Sequence, residues 1–202
     1  MGGMDWGDLA SNAALLCRML DELDYGLLLV DANARVHLAN REAKRECATG
    51  LSVRLCEDQV RPCDRSKCEP FRRALAASQA GRRTMLTLGP VDSPLSLAVV
   101  PLDVPAAPGD ARATLLVLGK RKACEPLSVA FFVREHRLTA AEGQVLQALC
   151  DGMCPAAIGK QAGVAVSTVR THVASIRLKT GTRRIGELVS RVASLPPIIA
   201  VA

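Results

Sequence analysis

Between residues 138 and 189 the side chains that start and stop helices stand so close together that only short helices fit between them. Thr139 and Glu142 have the T-x-x-E spacing of a capping box, in which a hydroxyl and a carboxylate each satisfy a free amide of the first turn. The helix they open carries Val145, Leu146 and Leu149 toward a core and meets Gly152. Pro155 suits the first turn of a second helix, where its missing N–H loses no partner. Gly163 then ends that helix, because glycine adopts the left-handed cap without strain. After a break at 163–165, a third helix is predicted over 166–180, with Val169, Val173 and Ile176 as its buried stripe. A fourth, over 184–194, presents Ile185, Leu188, Val189 and Val192. These elements predict a small all-α bundle with a tight turn between its second and third helices.

At 100° per residue, Ser167, Arg170, Thr171, Ala174 and Arg177 fall on the face of the third helix opposite that stripe. The face holds no acid and no large apolar side chain. Arginine there can offer two parallel donors to guanine, and threonine can bond to a base or set its methyl against thymine. Charge is distributed in agreement: residues 134–202 hold nine Lys/Arg against four Asp/Glu, while the rest of the chain is nearly balanced. A basic segment on a neutral one is the footprint of a nucleic-acid-binding module joined to a sensing or oligomerising one, although charge alone equally fits a solvated face.

The segment resembles the LuxR/GerE-type helix-turn-helix, whose pattern runs LTxxE, IxxxxGxxxxTVxxHxxxIxxK and ELV. It is matched by Leu138, Thr139, Glu142, Ile158, Gly163, Thr168, Val169, His172, Ile176, Lys179, Glu187, Leu188 and Val189. The resemblance implies that helix 166–180 enters the major groove and reads bases chiefly through Arg170, Thr171 and Ala174. Ser167, Thr168, Arg177 and Lys179 complete the expected DNA-binding set, with Lys179 on phosphate. It also implies a dimer joined in part by the fourth helix, through Leu188, Val189 and Val192. Two departures stand out: Ala165 replaces the usual serine cap of the reading helix, and Ala174 offers a base only a methyl. His172, at the edge of the buried stripe, is expected to pack first and touch phosphate second.

The N-terminal part reads differently. Leu9, Ala13, Leu16, Leu20 and Leu23 recur at helical spacing and predict an amphipathic helix over 8–24, whose Leu16 and Leu20 are candidates for a second dimer contact. Leu27–Val30 and Val36–Ala39 flank a turn at residues 31–34 and predict a hairpin. Asn40 can cap a helix over 41–48, and a further helix is expected over 69–80, ended by Gly81. Strands are expected at 84–88, 95–100 and 114–118, separated by turn-rich GPVDSP and DVPAAPGD. The order, and the wording GLLLVDANARVHLANREA, resemble a PAS domain, which implies a five-stranded antiparallel sheet with helices on one face. The expected class is therefore α+β: a PAS-like sensory and dimerisation domain over 8–119, a linker over 120–133, and the four-helix DNA-binding domain over 134–195. Clustered acids and a parallel α/β alternation, which a phosphorylated receiver domain needs, are missing, so a ligand, redox change or partner is the expected control.

Other classes fit less well. No apolar run is long enough to span a bilayer, and the first ten residues lack the basic and apolar regions of a secretory signal, so a cytoplasmic protein with no membrane partner is expected. No histidine has a nucleophile at motif spacing, and no phosphate or dinucleotide loop is present, so neither an enzyme nor a cofactor is expected. Cys47, Cys56, Cys63 and Cys68 gather without the paired knuckles of a zinc site, so no metal is expected. Arg61, Arg65 and Lys67 would favour a thiolate at Cys63 or Cys68 in what reads as an exposed loop, which makes those two the redox candidates; the plain alternative is inert thiols. The expected partners are double-stranded DNA and a second copy of the chain, and the regulator reading also allows a contact with RNA polymerase. The competing function is a cysteine-based redox switch or enzyme whose basic tail binds nothing specifically.

Overall fold

The computed structural model describes residues 13–103, 112–121, 124 and 126–196. The chain divides between residues 121 and 122 into two compact units. No helix among the described residues is long and apolar enough to cross a membrane.

The first unit holds α1 (Ala13–Asp21), β1 (Gly26–Val30), β2 (Val36–Ala39), α2 (Arg41–Thr49), β3 (Val53–Cys56), β4 (Gln59–Pro62), α3 (Cys68–Gln79), β5 (Thr84–Leu88), β6 (Leu95–Asp103) and β7 (Arg112–Leu118). Five of the strands form an antiparallel sheet in the order β2-β1-β7-β6-β5, the PAS-like architecture the sequence resembles. Strand periodicity sorts the side chains. Leu28, Val30, Leu97, Val99, Leu116 and Leu118 are all within 1% of full burial, in one core with Ala43 and Cys47 of α2 and Phe71, Ala74 and Leu75 of α3.

Asn40, 2% exposed, accounts for the entry to this unit. Its side-chain oxygen accepts from Ala43 N of α2 at 3.0 Å and from Leu27 N at 2.8 Å, while its amide donates to the carbonyls of Leu20 and Tyr25, each at 2.8 Å. That claim on the Leu20 carbonyl helps explain why α1 stops at Asp21, short of the expected residue 24. Leu9 and the rest of the expected helix before Ala13 lie outside the described residues. The β1–β2 turn closes on Asp31, whose Oδ1 accepts from Asn33 N and Arg35 N at 2.8 and 2.9 Å.

Two expectations need correction. The stretch read as an exposed loop around Cys63 contains the β3–β4 hairpin, with Glu57 and Asp58 both at positive φ in its turn. No glycine or asparagine marks that turn, so it carried no signal. The stretch 120–133, expected as a linker, is substantially structured. Lys120 Nζ lies 2.5 Å from buried Asp24, and Arg121 pairs with both oxygens of Glu46 at 2.5 and 2.9 Å. Further on, α4 (Pro126–Glu135) buries Val129 and Phe132 in the core of the second unit.

The second unit continues with α5 (Ala140–Cys150), α6 (Pro155–Ala162), α7 (Val166–Thr180) and α8 (Ile185–Ala193). The four helices stand where the punctuation of the sequence put them. Leu146, Ile176 and Leu188 at 0% exposure, with Val169 and Val192 at 1%, form the centre of its core.

Candidate nucleic-acid interface

Backbone constraint fixes the turn between α6 and α7. Gly163 caps α6 at φ +67°, and Val164 N bonds back to the Gly159 carbonyl at 3.0 Å. A Cβ at Gly159 would stand 3.0 Å from the Val164 carbonyl oxygen, closer than a side chain normally comes. Gly159 is thus a second condition for the close α6–α7 packing, and the glycine spacing of the sequence had not singled it out. Ala165 begins α7 with no side-chain cap, as its residue type requires.

Along α7, Val169, Val173 and Ile176 are buried, while Ser167, Thr168, Arg170, Thr171 and Ala174 are exposed on the other side. Thr171 donates its hydroxyl to the Ser167 carbonyl at 3.0 Å, leaving the oxygen lone pairs and the methyl outward. Arg170 has no carboxylate partner among the described residues, and neither do the exposed Lys160, Arg183 and Arg184. His172, which is half-buried, and Thr168 line a groove of about 370 Å³ with Val145, Ile158 and Val169.

Two residues of the expected DNA-binding set, Arg177 on the reading face and Lys179 on phosphate, do other work. Lys179 reaches back to Glu142, placing Nζ 2.9 and 2.7 Å from its carboxylate oxygens. Arg177 turns toward the end of its own helix and donates to the Arg183 carbonyl. Helical spacing gave Arg177 its direction but not the reach of long side chains, which here satisfy a buried carboxylate and a loop carbonyl.

Glu142 is 3% exposed and is the hub that joins α5 to α7. It accepts from Thr139 N at 2.6 Å and from Ser175 Oγ at 2.7 Å, besides Lys179, and Thr139 Oγ1 accepts from Glu142 N at 3.3 Å. The capping box is therefore present in full. Lys179 first, and then the amide and hydroxyl donors, overcome the cost of burial and bring the carboxyl pKa down to about 2.

The dimer residues of α8 also need correction. Leu188 and Val192 are core residues, at 0% and 1% exposure, and only Val189 of that trio is half-buried. The bundle uses their apolar surface to cover itself. On α1, Leu16 is 49% exposed and Met19 58%, whereas Leu20 is half-buried.

Nor does the expected thiolate pattern follow the basic neighbours. Partial burial, opposed by Arg54, pushes the Cys63 thiol up rather than down. Burial raises Cys47 to about 11 and raises Cys150 further. Cys17, Cys68 and Cys154 are exposed. In alkylation at neutral pH followed by mass spectrometry, Cys68 is expected to label well before Cys63, with Cys47 and Cys150 last. Cys63 labelling as fast as Cys68 would restore it as a redox candidate.

Residues 136–192 match the family model described as bacterial regulatory proteins, luxR family. No curated protein matches the sequence. Among solved structures, the chain is similar to a phage VqmA in complex with DPO, at 19% identity over 95% of this chain and 94% of that one, with a TM-score of 0.40. It is similar to a Vibrio cholera VqmA in complex with ligand and DNA, at 18% identity over 96% and 92%, with a TM-score of 0.37. It is also similar to the PAS domain of nitrogen regulation protein NR(II) from Vibrio parahaemolyticus, at 14% identity over 52% and 97%, with a TM-score of 0.34.

Proposed function

We propose that the chain, whose residues 136–192 match the luxR-family model, is a DNA-binding transcriptional regulator, acting by binding rather than by catalysis and controlled through its PAS-like N-terminal unit. The observation that carries this is the outer face of α7, where Ser167, Thr168, Arg170, Thr171 and Ala174 form an exposed strip without an acid. In this reading Arg170 and Thr171 face base edges in the major groove, and Ala174 supplies at most an apolar contact. Arg177 and Lys179, engaged inside the domain, leave the phosphates to Lys160, Arg183 and Arg184. One such domain covers about half of a typical operator, so the regulator works as a homodimer on two half-sites. Contact with RNA polymerase belongs to the same proposal, as the route by which a bound regulator changes transcription.

A gel shift on genomic fragments with excess competitor DNA separates this from a basic tail without specificity. A small set of fragments is expected to stay bound as competitor rises. Uniform loss of every fragment would favour the competing redox-switch or enzyme reading.

A further inference from the structure

The loop between α7 and α8 is tied down along its whole length. Gly181, at φ +65°, ends α7, and Thr182 N bonds to the Arg177 carbonyl at 3.0 Å. Thr180 and Thr182 are buried, at 4% and 6% exposure, with their hydroxyl oxygens 3.0 Å apart, while Arg183 and Arg184 are exposed. Three long side chains then fix the backbone that carries those two arginines. Arg177 donates to the Arg183 carbonyl, Glu187 accepts from Arg183 N at 2.8 Å, and Arg191 donates to the Thr180 carbonyl at 2.7 Å. Arg191 also stands 4.0 Å from Glu187, and the Nε of Arg177 is enclosed by protein. Water can satisfy the backbone groups of an exposed helix end; here charged side chains do so, with stronger bonds than neutral partners would make. Arg183 is held at both its amide and its carbonyl, whereas its guanidinium has no carboxylate partner among the described residues.

We infer that Arg177 and Glu187 are positioning residues for DNA binding, holding the α7–α8 loop in the shape in which Arg183 and Arg184 grip phosphate. The inference rests on the DNA-binding reading and deepens it, since Arg177 serves the duplex through Arg183 rather than by its own charge. The physical gain is preorganisation. An arginine on a slack loop loses backbone freedom when it meets a phosphate, and that loss opposes binding. A backbone fixed on both sides of Arg183 has lost that freedom already, on folding. Because the two positioning residues carry opposite charges, position can be separated from charge. Counterion release favours cations beside phosphate and disfavours acids. By charge alone, removing Arg177 weakens binding and removing Glu187 tightens it; by position, both removals weaken it.

The test is binding of the full chain to a labelled duplex of arbitrary sequence, followed by fluorescence anisotropy from about 50 to 200 mM salt. Glu187→Ala and Arg177→Met are each expected to weaken binding roughly five- to tenfold at about 0.1 M salt and to reduce the salt slope by about one unit, the share of one phosphate contact. With Arg183→Ala and Arg184→Ala already in place, either substitution is expected to have little further effect. Circular dichroism melts establish that each variant is folded at the temperature of the titration. Folded Glu187→Ala that binds as tightly as wild type or tighter, or an Arg177→Met effect that persists in full without Arg183 and Arg184, would overturn the inference. Because the duplex has no chosen sequence, a failure to prefer any operator would count against the regulator reading and leave this result standing.

Discussion

Glu142→Ala is expected to destabilise the C-terminal unit by about 2 to 4 kcal/mol while leaving the N-terminal unit intact. The substitution removes half of a capping box, typically about 1 kcal/mol, and breaks an ion pair whose carboxylate is buried. Lys179, with about a third of its side chain exposed, regains some hydration and keeps the cost below that of a fully buried pair. Thr139→Ala, which spares the ion pair, is expected to cost only about 1 kcal/mol. Lys179→Met should resemble Glu142→Ala rather than a phosphate-contact variant. The pH dependence has a definite sign. The folded carboxyl is held at about 2 against an ordinary 4.5, so its stabilisation is complete above the ordinary value and is lost as pH falls from about 4.5 through 2. Denaturant melts of the full chain from pH 7 to 2.5 are expected to show that loss, and Glu142→Gln should flatten it. An alanine variant as stable as wild type would mean that the network does not hold α5 to α7.

Arg170→Ala is expected to cost about 1 to 3 kcal/mol at the operator, roughly 5- to 150-fold in affinity. The reason is geometric: the guanidinium sits on the exposed face of α7, no carboxylate holds it among the described residues, and its fork matches the two acceptors of guanine. Specificity should relax at one base pair in each half-site and persist elsewhere. Lys160→Ala and Arg184→Ala should instead weaken all sequences alike and reduce the salt slope by about one unit per lost phosphate contact. A C-terminal unit that melts as wild type in Arg170→Ala is part of the expectation, because the side chain makes no contact that the bundle needs.

The C-terminal helices were legible because their limits are set locally. A capping box, a proline in a first turn and glycines at left-handed caps act within one turn of helix, so Thr139, Pro155, Gly163 and Val166 mark the observed boundaries closely. The sheet was legible for a related reason, since the strand segments were distinct even though their ends shifted by a few residues at β6 and β7. What failed depended on contacts distant in sequence. An apolar α8 looks the same whether Leu188 and Val192 face a partner or their own core, and only the bundle decides. Arg177 lies on the predicted side of α7 and Lys179 was expected on phosphate, but a loop carbonyl and a buried carboxylate 37 positions away take their charged ends. Cys63 sits among basic residues in sequence, yet partial burial outweighs Arg54 in space. The α4 helix was obscured by the Lys- and Pro-containing stretch before it, which reads as a boundary.

The central claim, that α7 reads DNA through Arg170, is tested most directly by selecting binding sites from random duplexes with the wild type and with Arg170→Ala, at matched salt. The account predicts that the wild type enriches a site of two related halves, and that the variant enriches the same site with one position per half turned indifferent. Wild-type protein that enriches no sequence, or two proteins with indistinguishable profiles, would contradict it.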